Sequence, residues 1–171
     1  MATTIRKATA ADAEALAEVS ASTFYDTFVQ FNTAEDMDAY MSAAFSVAQQ
    51  VSEIADARAA FFLAFVDDEV AGYAKVIESQ APACVTLERP VELERMYARS
   101  RFHGQGVAAR LMEACLEEAR ARGGASIWLG VWERNPRAIA FYEKCGFATC
   151  GSKIFQLGSD PQVDVVMARP L

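Results

Sequence analysis

Histidine is nearly missing from this chain: the only one stands at position 103. A Ser-His-Asp or Cys-His hydrolase would have to use His103 as its base, which makes those classes a poor fit. The four cysteines, Cys84, Cys115, Cys145 and Cys150, lack C-x-x-C spacing. With one histidine they make neither a zinc site nor a secreted disulfide framework, and are expected as reduced, mostly buried thiols. Long apolar runs are absent too. The longest, Ala59 to Val66, falls far short of the ~20 residues that span a bilayer. The first residues carry no apolar signal-peptide core, so the expected location is the cytoplasm, with no membrane partner. Positive charge is in deficit: 16 Lys and Arg against 23 Asp and Glu give a net charge of −7 and a pI near 4.8. That balance argues against nucleic acid as the main partner. It suits a cationic substrate, though solubility alone also accounts for it.

What is present is an ordinary globular composition, 53% hydrophobic and 23% charged. At 171 residues a single domain over 1–171 is expected, since domains run to about 150 residues. A chain this long buries ~70% of its unfolded surface and needs no metal to fold. Thr4 to Lys7 reads as a strand and Ala10 to Val29 as a helix with Ala13, Leu16, Ala17, Phe24 and Phe28 at helical spacing. Thr33 and Ser46 are placed to cap two further helices. Ala60 to Val66 and Val70 to Val76 read as a hairpin turned at Asp67-Asp68-Glu69. Ser126 to Trp132 is a buried strand, and Asn135 caps a helix opening on Pro136. Strands at Gly151 to Leu157 and Gln162 to Ala168 end the chain. The order β-α-α-α-β-β-β-α-β-α-β-β predicts an α/β fold of the mixed α+β kind, one sheet of about seven strands with helices on its faces.

The centre of the chain, Glu92 to Gly124, reads as strand, glycine loop and helix. Val91, Leu93 and Tyr97 alternate with Glu92, Glu94 and Met96 along the strand. After the loop, Val107, Leu111, Ala114, Cys115 and Ala119 share one helix face. A loop bracketed by Gly104 and Gly106 that opens a helix presents unpaired N–H groups and the positive end of a helix dipole. From Arg95 to Met112 there are four arginines, one histidine and no carboxylate. In an acidic chain that reversal points to a polyphosphate partner. Gly104-Gln105-Gly106-Val107-Ala108-Ala109 also matches the dinucleotide pattern G-x-G-x-x-A, with Glu133 as the distal acid. Only 38 residues follow Glu133, too few for the remaining units of a Rossmann domain.

His103-x-x-Gly106-x-Ala108 resembles the acyl-CoA loop Gln/Arg-x-x-Gly-x-Gly/Ala of the GNAT-type N-acetyltransferases, with His103 where that family carries Gln or Arg. Asn135-x-x-Ala138-x-x-Phe141-Tyr142-Glu143-Lys144-x-Gly146-Phe147 is similar to their last helix and the strand after it. LERMYA (93–98), IWLGVWERNPRAIAFYEKCGF (127–147), the tail IFQLGSDPQVDVVMARPL (154–171) and FYDTFVQFNTAEDMDAY (24–40) resemble bacterial PaiA-type spermidine/spermine N-acetyltransferases. The resemblance implies the GNAT acyl-CoA fold, acetyl-CoA as cosubstrate, no metal, a small-molecule amine, most simply a polyamine, as acceptor, and room for a homodimer. It leaves a protein N-terminus, an amino acid or an aminoglycoside as other acceptors, and a non-catalytic CoA-binding regulator as another class.

The same resemblance puts the cofactor against main chain of Met96, Tyr97 and Ala98 and against Asn135 and Phe141. The diphosphate falls to His103, Gly104, Gln105, Gly106, Val107, Ala108 and Ala109, with Lys144, Arg99 and Arg101 as nearby cations. Tyr142 matches the family's usual acid. A main-chain N–H near Met96 or Tyr97, freed by a bulge, is the candidate oxyanion donor. An amine acceptor is an ammonium at neutral pH and must lose a proton, for which Glu92 and Glu94 are the candidate carboxylates. Asp26, Glu35, Asp36 and Asp38 are candidates to line a groove for a polycation. Phe24, Phe28, Phe31, Tyr40 and Phe45 are expected as core and lid packing, and Trp128 and Trp132 as core strand residues.

Overall fold

A computed structural model describes residues 2–171 of the chain. The elements run β1 (Thr3–Lys7), α1 (Ala13–Phe28), α2 (Ala34–Ala44), α3 (Val47–Ala55), β2 (Ala59–Val66), β3 (Glu69–Ile77), β4 (Pro90–Ala98), α4 (Val107–Ala121), β5 (Ser126–Trp132), α5 (Pro136–Lys144), β6 (Ala148–Leu157) and β7 (Asp160–Pro170). This is the order read from the sequence. The helix expected over Ala10 to Val29 is trimmed to α1, with one 3₁₀ turn before it and another after. The caps are as expected: Thr33 and Ser46 accept from the N–H groups of Asp36 and Gln49, and Asn135 from that of Ala138. The last two strands are longer than their patterns suggested, because the turn between them shrinks to Gly158-Ser159.

The described residues form a seven-stranded sheet in the order β1-β2-β3-β4-β5-β7-β6. Only β4 and β5 run parallel; the other pairs are antiparallel. A doubly wound dinucleotide fold needs a largely parallel sheet, so this topology removes that reading of the glycine loop. Helix α4 packs one face through Val107, Leu111, Cys115 and Ala119, all buried with Leu93, Ile127 and Leu129. Each fully buried leucine there is worth about 1.5–3 kcal/mol. On the other face α1, α2 and α3 cover the sheet, and Phe24, Phe28, Met37, Phe45, Trp132 and Leu157 form a second apolar cluster.

Cys115 is buried and burial pushes its thiol up to about 12, so it is an inert core residue. Cys150 is exposed, contrary to the expectation of mostly buried thiols, and lies 3.6 Å from the Cys84 sulfur. Among the described residues no helix is long and apolar enough to cross a membrane. No group of three or more His, Cys, Asp or Glu is placed to hold a metal ion among them.

Candidate active site

The parallel ladder between β4 and β5 has three pairs, Pro90 with Ser126, Val91 with Ile127 and Glu92 with Trp128, and then stops. Beyond Glu92 the two strands part, leaving one edge of β4 without a sheet partner. A β-bulge on the other edge sets how that strand is presented. Leu93 opposes Val76 and Arg95 opposes Lys75, so Glu94 is the extra residue. The bulge resets the alternation. Leu93, Met96 and Ala98 face α4, whereas Tyr97 joins the cluster under α1. Simple alternation had grouped Tyr97 with Leu93. The Arg99 N–H donates to the Ala71 carbonyl at 2.8 Å, so main-chain groups at Arg99 and Tyr97 turn toward β3. Those of Met96 and Ala98 turn toward the gap. Of the three residues expected along the cofactor, Tyr97 therefore contributes no main-chain group to the gap.

At the mouth of the gap sits the glycine loop. Gly104 and Gly106 have φ of 79° and 82°, the left-handed region that disfavours any other residue. A Cβ on either would meet nothing within 4 Å, so the loop is set by backbone conformation and lies open above. Gly106 precedes α4, and no side chain caps that helix. The N–H groups of Val107, Ala108 and Ala109 thus have no intrahelical acceptor. All three residues line the cleft with His103, Gly104 and Gly106. Gln105 is exposed and turns its amide to the Arg101 carbonyl, outside the lining.

The cations differ from those expected. Arg99 is held by Glu18, Ser22 and the Val70 carbonyl. Arg101 pairs with Glu69, and Lys144 is exposed away from the cleft. The arginines that line it are Arg95, which is tied to Glu53, and Arg134 and Arg137. His103 connects two of these parts. Its Nε2 lies 2.9 Å from the Ala98 carbonyl, while its Nδ1 meets the Arg137 guanidinium. A ring protonated on Nε2 donates to Ala98 and accepts from Arg137. Arg137 was missed because its role depends on α5 turning that face toward the loop, which spacing alone did not reveal.

The cleft encloses about 720 Å³ and runs from the loop, along the gap, to a chamber between the sheet and α1–α2. Asn135, Ala138, Phe141 and Tyr142 line it on the α5 side. Tyr142 is buried, and burial raises its phenol, so it is a neutral O–H donor across the physiological range. The chamber is walled by aromatic rings. Phe24 stacks on Tyr40 at 4.6 Å, Phe28 and Phe31 approach Trp132 at 4.8 and 5.1 Å, and Phe155 closes on Tyr40 at 5.3 Å. Phe24, Phe28 and Phe45 are core residues, as expected, but Phe31 is exposed and Tyr40 half-buried, and both line the chamber.

Glu92 is half-buried and accepts from the Ser79 hydroxyl at 2.6 Å; burial raises its carboxyl. Glu94 is tied to Lys75 at 2.7 Å, and Lys75 to Glu53 at 3.3 Å. Arg95 completes that network through Glu53 at 3.0 Å. Of the four acids proposed for an acceptor groove, Asp26 lines the chamber. Glu35 and Asp38 are exposed on α2 and outside the lining. Asp36 accepts from the N–H and hydroxyl of Ser159 at 2.8 and 2.9 Å, fastening α2 to the β6–β7 turn. Sequence reasoning also missed Asp164, a buried carboxylate of the chamber floor.

Comparison with known proteins decides the family: residues 21–147 match the Acetyltransferase (GNAT) family. The chain belongs to this family. Within the GNAT family, it is 36% identical over 160 residues to a protein named as an uncharacterized N-acetyltransferase of Mycobacterium tuberculosis, covering 94% of this chain and 98% of that one. It is 34% identical over 153 residues to another from Lactobacillus delbrueckii subsp. lactis, covering 90% and 88%. The PaiA N-acetyltransferase of Thermoplasma acidophilum, solved in complex with coenzyme A, superposes with a TM-score of 0.79 over 100% of both chains. At 20% identity that likeness speaks for the GNAT fold alone. The protein is thus an acyltransferase of the GNAT type, an enzyme rather than a member of a redox or hydrolytic class.

Proposed function

We propose that the protein transfers the acetyl group of acetyl-CoA to a primary amine of a polyamine such as spermidine or spermine, by direct attack. The residues present fit the cosubstrate. Main-chain N–H groups of Val107, Ala108 and Ala109, reached past Gly104 and Gly106, suit a diphosphate at a helix start, with Arg137 and Arg134 lining the same cleft. The edge of β4 at Met96 and Ala98, which lacks a strand partner and has its Ala98 carbonyl bonded to His103, suits the amide-bearing arm, and Asn135 and Phe141 line the same cleft. The cosubstrate supplies an activated acyl group. The chain supplies position, a main-chain donor at the Met96 stretch for the carbonyl oxygen, and Tyr142 as the acid for the departing sulfur.

The observation that carries the acceptor class is the chamber beyond the gap. It combines the rings of Phe31, Tyr40, Trp132 and Phe155 with the carboxylates of Asp26, Glu92 and Asp164. Aromatic faces and carboxylates together favour an elongated cation.

The test is release of free CoA thiol from acetyl-CoA across spermidine, spermine, an N-terminal peptide, an amino acid and an aminoglycoside. Saturable release with the two polyamines is expected. Release no greater than in buffer with both would reject the polyamine.

A further inference from the structure

We propose that Asp164, rather than Glu92 or Glu94, is the carboxylate that binds the acceptor ammonium and takes its proton. The inference rests on the acetyl-transfer reading and names the base within it.

Three strands place the group. Asp164 on β7 is paired with Trp132 on β5 and with Lys153 on β6, while Glu92 on β4 is paired with Trp128. Cross-strand partners share a face, so these residues and Gly130 form one floor under the chamber. Gly130 is what opens that floor. A Cβ there would come within 2.5 Å of the Lys153 Cε and 3.1 Å of an Asp164 carboxylate oxygen. The glycine leaves room for both side chains to reach over β5 as they are placed, and a larger residue would push them aside.

Asp164 is 8% exposed, yet its carboxylate has no hydrogen-bond or ion-pair partner among the described residues. Its oxygens open onto the chamber, where a cationic ligand can supply the donors that the protein does not. The two glutamates on β4 are already engaged. Glu92 accepts from Ser79 at the closed end of the gap, and Glu94 is spent on Lys75. All three line the cleft, and Asp164 alone of them has no side-chain partner.

The charged and titratable groups that line the chamber with it are Lys153 on β6, Glu92, Glu94, Arg95 and Tyr97 on β4, Tyr73 on β3, Tyr40 on α2 and Asp26 on α1. Burial lifts the Asp164 carboxyl to about 6, and the Lys153 charge opposes that rise. It is therefore mostly ionised at neutral pH, yet basic enough to accept a proton.

The ammonium gives one proton to the Asp164 carboxylate, and the freed nitrogen lone pair forms a bond to the thioester carbonyl carbon. The carbon–sulfur bond breaks, the sulfur leaves with the proton of the Tyr142 hydroxyl, and the second nitrogen proton restores Tyr142 through solvent. Asp164 then returns its proton to water.

The experiment compares Asp164→Asn with Glu92→Gln and Glu94→Gln in acetyl-CoA turnover with spermidine, together with CoA binding by calorimetry. Asp164→Asn should lower kcat/KM by about 10²-fold or more at neutral pH. CoA affinity should stay unchanged, which also reports an intact fold. The acidic limb near pH 6 should disappear from its rate profile. Lys153→Met should move that limb upward, which a merely structural role for Asp164 would not produce. Full turnover by Asp164→Asn, or loss of the limb in Glu92→Gln instead, overturns the assignment and leaves the acetyl-transfer reading intact. No turnover by the unaltered protein with any amine overturns both.

Discussion

Glu92 and Trp128 form the last pair of the parallel β4–β5 ladder, and one residue further on the sheet has opened. That single boundary separates the closed floor, where Glu92 is held by Ser79, from the edge at Met96 and Ala98 that is left without a strand partner. The bulge at Glu94 then turns those two residues, and not Tyr97, toward the gap.

The glycine loop gives the first prediction. Gly106 has φ of 82° with open space around it, so an alanine there suffers from backbone strain and from no clash. Gly106→Ala should lose about 1–2 kcal/mol of stability if the loop keeps its shape. If the loop relaxes instead, the N–H groups lose their aim and CoA affinity falls several-fold. Thermal unfolding and calorimetry with CoA separate the two responses; a variant unchanged in both would contradict the role given to the loop.

Arg137 gives the second. Arg137→Ala should weaken CoA binding by about tenfold, the worth of a partly exposed charge-assisted contact, and the loss should shrink at high salt. Arg101→Ala and Lys144→Ala should bind as the unaltered protein does, since both side chains point elsewhere. His103→Ala should show part of the Arg137 effect, because the ring braces that guanidinium against Ala98.

Tyr142→Phe isolates the acid. The ring packs among Phe141 and Phe147, so removing the hydroxyl alone should leave stability and CoA binding near their original values. The value of kcat should fall by about 10–10²-fold, the lower part of the range for a positioned acid, because a thiolate is already a fair leaving group. Retention of full kcat would remove the hydroxyl from the chemistry.

Asp164 predicts a stability change of opposite sign to its catalytic one. Its folded carboxyl titrates near 6 instead of the usual 3.8, so the native state binds more protons than the unfolded chain between those values. Stability should therefore fall as pH rises from about 4 to about 6, and the whole penalty is present above that window. Asp164→Asn should relieve it, gaining about 1–3 kcal/mol at pH 8 and little at pH 4. Denaturant titrations at the two pH values check this; equal stability at both would show that the carboxylate is not held at a cost.

The order of elements was legible because each announces itself locally. Thr33, Ser46 and Asn135 cap helices with side chains that sequence displays, and Ala59 to Val66 has too few polar residues to be anything but a covered strand. The two motifs that carry the family likeness were also contiguous, so the loop at Gly104 and the helix holding Tyr142 could be paired before any fold was in view. What sequence hid was set by long-range placement. Asp164 matters because β7 inserts between β5 and β6 and Gly130 makes room beneath it, and neither fact lies near Asp164 in the chain. The Glu94 bulge changes the phase of β4 midway, which a period-two pattern does not encode. Arg137, and not Arg101 or Lys144, stands beside the loop for a similar reason: the rotation of α5 against the loop is a packing outcome.

The most direct test of the account is a crystal structure of the protein with coenzyme A bound. It should show the diphosphate on the N–H groups between Gly104 and Ala109, with Arg137 alongside, and the pantetheine arm paired to Met96 and Ala98 in the gap beyond Glu92. Diphosphate density away from that turn, or a β4–β5 gap left empty while coenzyme binds elsewhere, would contradict it.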